Sequence, residues 1–249
     1  MKTQTKLDLN TIYLGDCLEV MAELPDHSVD MILTDPPYGT TECKWDTVID
    51  LSLMWEQLKR IVKPNGAIVM TANQPFTTTL ISSNLKMFKY SWVYKKRRST
   101  GFLLSKIQPL RIYEDVVVFY SKQPTYNPQM RTGFPPYKKT GLNRKFSDCY
   151  GGRAGDPHVE ESDGSRFPIN VIEFGKDKSR VHPTQKPVAL MEYLIKTYTN
   201  EGETVLDFTI GSGTTAIAAI RSNRNYIGIE KDPAYHAIAL KRIEEESHE

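Results

Sequence analysis

The chain of 249 residues suits one large α/β domain with an inserted segment, and its ordinary composition, 39% hydrophobic and 25% charged, contains no apolar run long enough to cross a membrane. Three widely spaced cysteines without a CxxC pair exclude a disulfide framework and a zinc site, and the polar first residues lack a secretory pattern, so we expect a cytoplasmic protein. The net charge is only +2, yet residues 86–146 hold fourteen Lys and Arg against two acidic residues, which indicates a polyanionic partner bound by one segment.

Predicted strands and helices alternate along the first half of the chain. Short apolar or β-branched runs indicate strands, and apolar residues that recur on one face after a capping residue such as Asp50 indicate helices. Pro64-Asn65-Gly66 is a turn signal. In chain order we predict a strand at 12–14, a helix at 18–24, a strand at 29–33, a helix at 51–62, a strand at 67–70, a helix at 75–84, and strands at 90–94 and 116–120.

The alternation resumes after a stretch without periodicity. Here we predict a strand at 169–174, a helix that starts at Pro187 and that Gly202 ends, a strand at 204–208, a helix at 214–221, a strand at 226–230 and a last helix that Asp232 caps. Strands that alternate with helices predict a doubly wound, mostly parallel sheet. Only a helix follows the last predicted strand, 226–230, so we expect residues 11–16 to supply the strand that lies beside it in the sheet.

A rigid turn follows the apolar strand at 29–33. Asp35-Pro36-Pro37-Tyr38 places a carboxylate before two prolines and an aromatic ring after them, at the carboxyl end of a buried strand. The carbonyls of Asp35 and Pro36 are expected to lack local partners. Together with the Asp35 carboxylate they could accept the hydrogens of an exocyclic amine, and Tyr38 could stack on the base plane. A solvated Asp beside a packed Tyr is the alternative interpretation.

A glycine-rich turn, Ile210 to Thr215, leads from the strand at 204–208 into a helix. Glycines let a ligand approach the backbone closely, and the acidic Glu230 at the end of the next strand could hold both hydroxyls of a ribose. Thr214 follows Gly213 where a phosphate-binding loop would have Lys, so a ribose-bearing ligand with a carboxylate fits better than a nucleotide phosphate.

Residues 121–166 form a predicted insertion in which basic residues are interleaved with aromatic ones. This composition suits contacts to phosphates and bases. A mobile loop is the alternative. A second basic cluster, Lys95 to Arg98, lies between two predicted strands. The predicted nucleic-acid contacts are Lys95, Lys96, Arg97, Arg98, Arg131, Lys138, Lys139, Arg144 and Lys145.

The order of these motifs resembles the β group of DNA methyltransferases that methylate amino groups. Asp35-Pro36-Pro37-Tyr38 comes first, a basic region follows, then His182-Pro183-Thr184-Gln185-Lys186-Pro187, and Asp207 to Thr215 comes last. The resemblance covers nearly the whole chain and implies a Rossmann-like methyltransferase domain, 1–120 with 167–249, and a target-recognition insertion, 121–166. It also implies S-adenosylmethionine as cofactor, double-stranded DNA as partner and no metal.

The same resemblance implies the roles of individual residues. Asp35, Pro36, Pro37 and Tyr38 would be catalytic, with Glu230 on the ribose and Asp207, Gly211, Gly213 and Thr214 shaping the methionine end of the cofactor site. The whole expected cofactor site comprises Asp16, Cys17, Thr34, Asp35, His182, Thr184, Lys186, Asp207, Gly211, Ser212, Gly213, Thr214, Thr215 and Glu230. Asp207-Phe208-Thr209 departs from the usual Asp-Pro-Phe of the family, so this turn should have a different shape.

Several alternatives remain open at this stage. An Asp before Pro-Pro-Tyr goes mostly with adenine N6 in this family, and a Ser goes with cytosine N4. No cysteine lies in the Pro-Cys setting of enzymes that attack cytosine C5. An inactive DNA-binding homologue, or a methyltransferase of RNA or protein, are rival hypotheses. A homodimer and a cognate restriction endonuclease are left open as partners, as is the recognition sequence.

Overall fold

The computed structural model describes residues 8–40, 46–140, 159–177 and 185–247. The chain divides into two compact units: one comprises Met1–Asn127 with Asn170–Glu249, and the other is Pro128–Ile169. The second unit overlaps the predicted insertion, 121–166, but begins and ends later in the chain. Its role in target recognition stays a prediction. No helix within the described ranges is long and apolar enough to span a membrane.

The first unit is built on an eight-stranded sheet. Its strand order is β1-β10-β9-β2-β3-β5-β4-β8, and every neighbouring pair is parallel except the two that β5 makes. This arrangement confirms the predicted mostly parallel sheet. In chain order, the described strands of both units are β1 (Thr11–Leu14), β2 (Val29–Thr34), β3 (Val62–Ala72), β4 (Phe88–Thr100), β5 (Arg111–Phe119), β6 (Tyr137–Thr140), β7 (Val159–Ser162), β8 (Val171–Phe174), β9 (Thr204–Asp207) and β10 (Asn225–Glu230). Of these, β6 and β7 belong to the second unit.

Helices cover both faces of the sheet, as expected for a doubly wound fold. One buried cluster joins alternate strand residues to α1, α2 and α3, and the other joins the opposite face to α4, α5 and α6. The helices are α1 (Cys17–Glu23), α2 (Leu51–Ile61), α3 (Phe76–Ser83), α4 (Val188–Tyr198), α5 (Thr214–Arg221) and α6 (Pro233–Ser247). The caps that the sequence indicates are present: Asp50 accepts the N–H groups of Ser52 and Leu53.

The N-terminal strand takes the position that the sequence predicts. β1 pairs in parallel with β10, and the N–H of Gly15 donates to the carbonyl of Glu230 at 2.9 Å. The ring of His236 on α6 lies 3.0 Å from the carbonyl of Ile12. The ends of β1, β2, β9 and β10 therefore meet at one edge of the sheet, where ligands of open α/β sheets usually bind.

Two predicted boundaries are wrong. Pro64-Asn65-Gly66 is not a turn before the strand, because β3 begins directly after α2 and the three residues form an irregularity within it. A Cβ on Gly66 would lie 2.6 Å from the carbonyl oxygen of Asp30, so glycine is needed for this close approach. The segment from Lys95 to Thr100 is not a loop but continues β4, paired irregularly with β5.

The second unit carries its own small antiparallel pair, β6 and β7. Arg166 organises it: the guanidinium donates to the carbonyl of Pro135 at 2.8 Å and lies over the rings of Phe134 and Tyr137, 5.4 and 4.7 Å from their centroids. Arg131 and Arg166 also exchange backbone hydrogen bonds of 2.8 Å. Interleaved basic and aromatic residues thus stabilise this unit internally.

Tyr198 anchors α4 to the sheet within the first unit. Its buried hydroxyl accepts a hydrogen bond of 2.7 Å from the indole N–H of Trp92 and lies 2.9 Å from the hydroxyl of Tyr90. Both partners are on β4. Burial raises the pKa of Tyr198, so the group stays a neutral hydroxyl.

We predict that Tyr198→Phe lowers the free energy of unfolding by about 1–3 kcal/mol, because the indole N–H of Trp92 would remain buried without an acceptor. Tyr90→Phe is the matched control: it removes one hydroxyl but leaves that N–H paired, so its loss should be about 1 kcal/mol or less. Urea denaturation measures both. Equal losses for the two variants would contradict the anchoring role of Tyr198.

Candidate active site

The Asp35 turn lies at the carboxyl end of β2, and Asp46 fixes its shape. One carboxylate oxygen of Asp46 accepts the N–H groups of Tyr38 and Gly39, at 2.7 and 2.9 Å, and the other accepts that of Thr40 at 2.9 Å. Gly39 has a φ of 65°, a conformation that glycine adopts without strain. This support is hard to predict from the sequence, since Asp46 lies in a loop with no recognisable motif.

The carboxylate of Asp35 is surrounded by protein donors. One oxygen accepts the hydroxyl of Tyr38 at 2.5 Å and the hydroxyl of Thr71, and the other accepts the ammonium of Lys186 at 2.5 Å. Thr71 lies on β3, directly beside β2. These three contacts hold the carboxylate in one orientation. The alternative interpretation, a solvated Asp without protein partners, does not match these contacts.

Lys186 connects Asp35 to a second buried carboxylate. Its ammonium lies 3.2 Å from Glu114 of β5, and the other oxygen of Glu114 forms an ion pair with Lys96. Burial lowers the pKa of Lys186, but the nearby Asp35, Tyr38 and Glu114 raise it well above its ordinary value. Burial raises the pKa of Glu114, and the two lysines lower it overall. The cluster thus brings together two carboxylates, Asp35 and Glu114, and two ammonium groups, Lys186 and Lys96.

This cluster corrects one prediction about nucleic-acid contacts. Lys96 is turned inward and paired with Glu114, so its charge stabilises the site and is not available to a phosphate. Its neighbours in the predicted cluster are more exposed: Lys95 and Arg97 lie 2.9 and 3.7 Å from Glu173, and Arg98 is open to solvent. The alternation of side chains along a strand explains the difference.

Tyr38 uses both its ring and its hydroxyl within the protein. The ring stacks on Phe76 of α3, with centroids 5.3 Å apart, and the Lys186 ammonium lies 5.8 Å from its centroid. The hydroxyl bonds to Asp35 and lies 3.0 Å from Thr71. Burial and the charge of Asp35 raise the pKa of Tyr38 well above its ordinary value, so it stays neutral. Its predicted stacking on a base stays a prediction.

Asp207 at the end of β9 orders the second predicted site. Its buried carboxylate accepts the hydroxyls of Thr34 and Thr215, at 2.7 and 2.5 Å, and the N–H of Thr209 at 3.1 Å. Burial raises the pKa of Asp207 to about 6 despite these donors. Asp207 and Thr34 therefore support the turn, and their predicted contacts with the cofactor stay predictions.

Thr209 joins the two sites. Its hydroxyl donates to the carbonyl of Asp35 at 3.2 Å and lies 2.6 Å from the hydroxyl of Thr34. The carbonyl of Asp35 is therefore not free, contrary to the expectation from the sequence. No described residue donates a hydrogen bond to the carbonyl of Pro36. The departure from Asp-Pro-Phe was the available signal for this contact, since Phe208 is buried and Thr209 supplies a hydroxyl to the turn.

The glycine-rich turn is fixed from two sides. The carboxylate of Glu230 accepts the N–H groups of Gly211 and Asp232, both at 2.8 Å. On the other side, the guanidinium of Arg242 donates to the carbonyl of Ser212 at 2.5 Å, and lies 3.1 and 3.4 Å from the hydroxyls of Ser212 and Thr214. Each oxygen of Glu230 retains acceptor capacity for a hydroxyl.

Gly213 can hardly be replaced in this turn. Its φ is 83°, and an added Cβ would lie 3.1 Å from the Cβ of Ala239 on α6. The helix α5 begins directly after it. The glycine thus lets the turn, α5 and α6 meet, which brings the N-terminus of α5 to the carboxyl edge of the sheet.

Asp16 and Cys17 follow β1 at the end of β10, and their predicted contacts with the cofactor stay predictions. Asp16 accepts the N–H of Leu18 and pairs with Lys231, both at 3.0 Å. Burial raises the pKa of Asp16, but the hydrogen bonds of Lys231 and Leu18 lower it overall. Burial and the charge of Asp16 raise the pKa of Cys17 to about 11, so this thiol is not an activated nucleophile.

Some predicted residues fall elsewhere. His182, Thr184, Arg144 and Lys145 lie outside the described residues, as does the side chain of Lys139. Arg131 donates to the carbonyl of Phe167 at 3.1 Å, and Lys138 lies 3.1 Å from Glu161, both within the second unit. Their predicted contacts with DNA stay predictions. In the described parts of the chain, no group of His, Cys, Asp and Glu could hold a metal ion.

We predict that Lys186→Met lowers the free energy of unfolding by about 3–5 kcal/mol, because it leaves the buried Glu114 and the partly buried Asp35 without their shared cation. Adding Glu114→Gln should recover part of the loss, which a double-mutant cycle measures by urea denaturation. Lys95→Met, which breaks a half-exposed pair with Glu173, is the control and should cost about 1 kcal/mol or less. A Lys186 loss as small as the Lys95 loss would contradict the buried ion cluster.

Comparison with known proteins identifies relatives along nearly the whole chain. Residues 29–241 match the N6/N4 methyltransferase family, whose description is DNA methylase. The chain is 29% identical to Type II methyltransferase M.BglII of Bacillus subtilis, over 98% of this chain and 71% of that protein. It is 30% identical to DNA adenine methyltransferase YhdJ of Escherichia coli (strain K12), over 97% of this chain and 85% of that protein.

Solved structures share the fold. The complex of M1.HpyAVI with SAM superposes with a TM-score of 0.62 at 24% identity, covering 93% of this chain and 98% of that one. The PvuII DNA methyltransferase, described as cytosine-N4-specific, superposes with a TM-score of 0.69 at 16% identity, covering 98% and 92%. The match over residues 29–241 shows that the chain belongs to the N6/N4 family of DNA methyltransferases, and the order of the motifs and the contact between the Asp35 and Asp207 turns agree with it.

Proposed function

We propose that this methyltransferase transfers a methyl group from S-adenosylmethionine to the exocyclic N6 amine of adenine in double-stranded DNA. The observation that carries the proposal is the contact between Thr209 and the carbonyl of Asp35, because it joins the Asp35 turn directly to the segment that leads into the glycine-rich turn. A methyl donor in one turn and an acceptor amine in the other would then face each other across a short gap.

The residues around the glycine-rich turn fit the proposed cofactor. Glu230 retains acceptor capacity for the two ribose hydroxyls, and the backbone at Gly211 and Gly213 permits close approach of the methionine end. Asp16 lies beside the end of β10, and the resemblance to the family implies that this residue would lie beside the adenine ring of the cofactor. M1.HpyAVI, which has the same fold, is described in complex with SAM.

The Asp35 carboxylate has room for one more donor. A carboxylate offers about four lone-pair directions, and three are used by Tyr38, Thr71 and Lys186. An amine hydrogen can take the remaining direction, and the second hydrogen can be donated to the carbonyl of Pro36. These two bonds would turn the nitrogen towards a tetrahedral geometry and localise its lone pair, which makes it a better nucleophile.

The transfer needs no covalent enzyme intermediate. S-adenosylmethionine, when bound, supplies a methyl group on a sulfonium, and its C–S bond breaks as the N–C bond forms, leaving a neutral thioether. The attacking nitrogen then gives up one proton, for which the Asp35 carboxylate is an acceptor within reach. Lys186 keeps that carboxylate oriented, so the enzyme contributes mainly positioning and polarisation.

The base must leave the helix to reach this site, because an amine within the base stack is inaccessible to a buried turn. Exposed basic residues, such as Arg98, would hold the phosphates and make binding weaker at high salt. A cognate restriction endonuclease is consistent with the likeness to M.BglII, described as a type II methyltransferase, but a methyltransferase that acts alone fits the site equally well.

Adenine is the favoured base on two grounds. The turn begins with Asp35, which in this family goes mostly with adenine, and YhdJ, at 30% identity, is described as an adenine methyltransferase. Cytosine N4 is the second candidate, because its exocyclic amine offers the same two hydrogens, and PvuII methyltransferase, which shares the fold, is described as specific for it.

We predict that Asp35→Ala lowers methyl transfer to plasmid DNA by at least about a hundredfold, because the amine loses its charged acceptor. Cofactor binding should change little, since the glycine-rich turn keeps its contacts to Glu230 and Arg242. Tritiated methyl transfer and calorimetric titration measure the two effects. Asp26→Ala, which removes an exposed carboxylate paired with Arg60, is the control and should retain full transfer.

We predict that DNA treated with the wild-type protein contains N6-methyladenine and no N4-methylcytosine. Digestion to nucleosides followed by mass spectrometry separates the two products, and sequencing of the treated plasmid locates the modified positions. N4-methylcytosine without N6-methyladenine would refute the adenine assignment and leave the methyltransferase itself intact. Labelled methyl on RNA or protein, but never on DNA, would refute DNA as the substrate.

A further inference from the structure

The β4–β5 hairpin extends beyond the sheet on the side of the active site. β4 runs in the direction of β3, because both pair antiparallel with β5, so it points to the edge that carries Asp35. Ala72, the last residue of β3, and Val93 of β4 both lie opposite Asp115. Past Asp115, the hairpin continues over the four residues from Arg111 to Glu114 of β5. At the usual rise of a strand, these residues extend about 13 Å beyond the end of β3.

The end of this hairpin is apolar and almost fully exposed. Gly101, with a φ of 87°, leads into a short helical turn, Phe102–Leu104. The side chains of Phe102, Leu103 and Ile107 are 79%, 97% and 80% exposed, and we call these three residues the apolar tip. Because these three apolar side chains stay exposed, their burial does not stabilise the fold. Clusters of exposed apolar side chains usually mark a binding surface.

The hairpin around the apolar tip is strongly basic. Residues 95–113 contain six Lys and Arg and no acidic residue. Lys96 is paired with Glu114, and Lys95 and Arg97 share Glu173. The remaining three, Arg98, Lys106 and Arg111, are exposed and form no ion pair with any described carboxylate. Their charge is therefore available to an anionic partner on either side of the apolar tip.

We propose that the apolar tip enters double-stranded DNA at the target site and fills the space between base pairs while the target base is extruded. The three free cations of the hairpin would contact phosphates on both sides of the opened step. Apolar side chains inserted between base steps unstack them, and flanking basic residues hold the backbone. This inference rests on the proposed function, and it assigns the opening of the duplex to a segment outside the two turns that carry the chemistry.

The charge of the hairpin favours DNA over a second copy of the chain. Two hairpins with three free cations each would repel one another if their tips met, whereas a polyanion neutralises them. The hairpin also projects from the edge of the sheet that carries Asp35 and Asp207. DNA must approach the proposed site from this side. An apolar tip between cations on this side matches a duplex in both charge and position.

The test compares a tip variant, Phe102→Ser with Leu103→Ser, with a matched control, Leu85→Ser. Leu85 is also exposed, but it precedes β4 and therefore lies at the opposite end of that strand. The substrates are two duplex oligonucleotides that carry the site mapped by sequencing, one fully paired and one mismatched at the target base. Thermal melting and cofactor titration establish that each variant folds and binds S-adenosylmethionine as the wild type does.

We expect the tip variant to lose about tenfold or more in kcat/KM on the paired duplex, the loss typical of removing stacked side chains. It should regain most of that activity on the mismatched duplex, where the base stack is already weakened. With 2-aminopurine at the target position, the wild type and the control should raise its fluorescence on binding, and the tip variant should raise it less. The double substitution Arg98→Ala with Lys106→Ala should weaken binding to the paired and the mismatched duplex equally, and it should reduce the salt dependence of binding.

Three results would overturn the inference. Equal activity and fluorescence of the tip variant and wild type would show that the apolar tip does not open the duplex. An equal loss on paired and mismatched duplexes would assign it another role. A wild-type dimer that the tip substitutions convert to a monomer, observed by sedimentation velocity, would make the tip a subunit interface. Absence of methyl transfer to any DNA by the wild type would instead refute the proposed function, and the inference with it.

Discussion

The ammonium of Lys186 is the centre on which the active-site structure depends. It joins a turn after β2, a residue of β5 and the segment that enters α4, three parts of the chain that share no sequence motif. Burial raises the pKa of Glu114, and the nearby Lys186 and Lys96 lower it overall, so the cluster offsets the cost of burying this charge. The direction of the Asp35 carboxylate is thus set by an ion cluster and two hydroxyls before any substrate arrives.

The sequence was sufficient for the architecture. Regular alternation of strand and helix patterns, with Asp50 and Asp232 as caps, predicted the doubly wound sheet, and the missing neighbour of β10 predicted the place of β1. Both constellations of the site were also recognisable, because short rigid turns and glycine-rich turns have strict local requirements. These features depend on near neighbours in the chain, which is why the sequence alone indicates them.

The sequence could not supply contacts between distant residues. Lys186 and Asp35 are 151 positions apart, and the hydroxyl of Thr209 reaches the carbonyl of Asp35 across 174 positions. The inward direction of Lys96 would have followed from strand alternation, had β4 been extended to Thr100. Instead the run of four basic residues was placed between two predicted strands, and one of its charges proved to belong to the interior.

Asp207 has a consequence for the uptake of protons on folding. Burial raises its pKa from 3.8 to about 6, so between these values the folded chain carries a proton that the unfolded chain has lost. The neutral carboxyl gives its full stabilisation below pH 3.8, and that stabilisation, about 3 kcal/mol, is lost as the pH rises through 6. Refolding near pH 5 therefore takes up a proton at this carboxyl. Refolding at neutral pH instead buries an ionised carboxylate that accepts hydrogen bonds from two threonine hydroxyls.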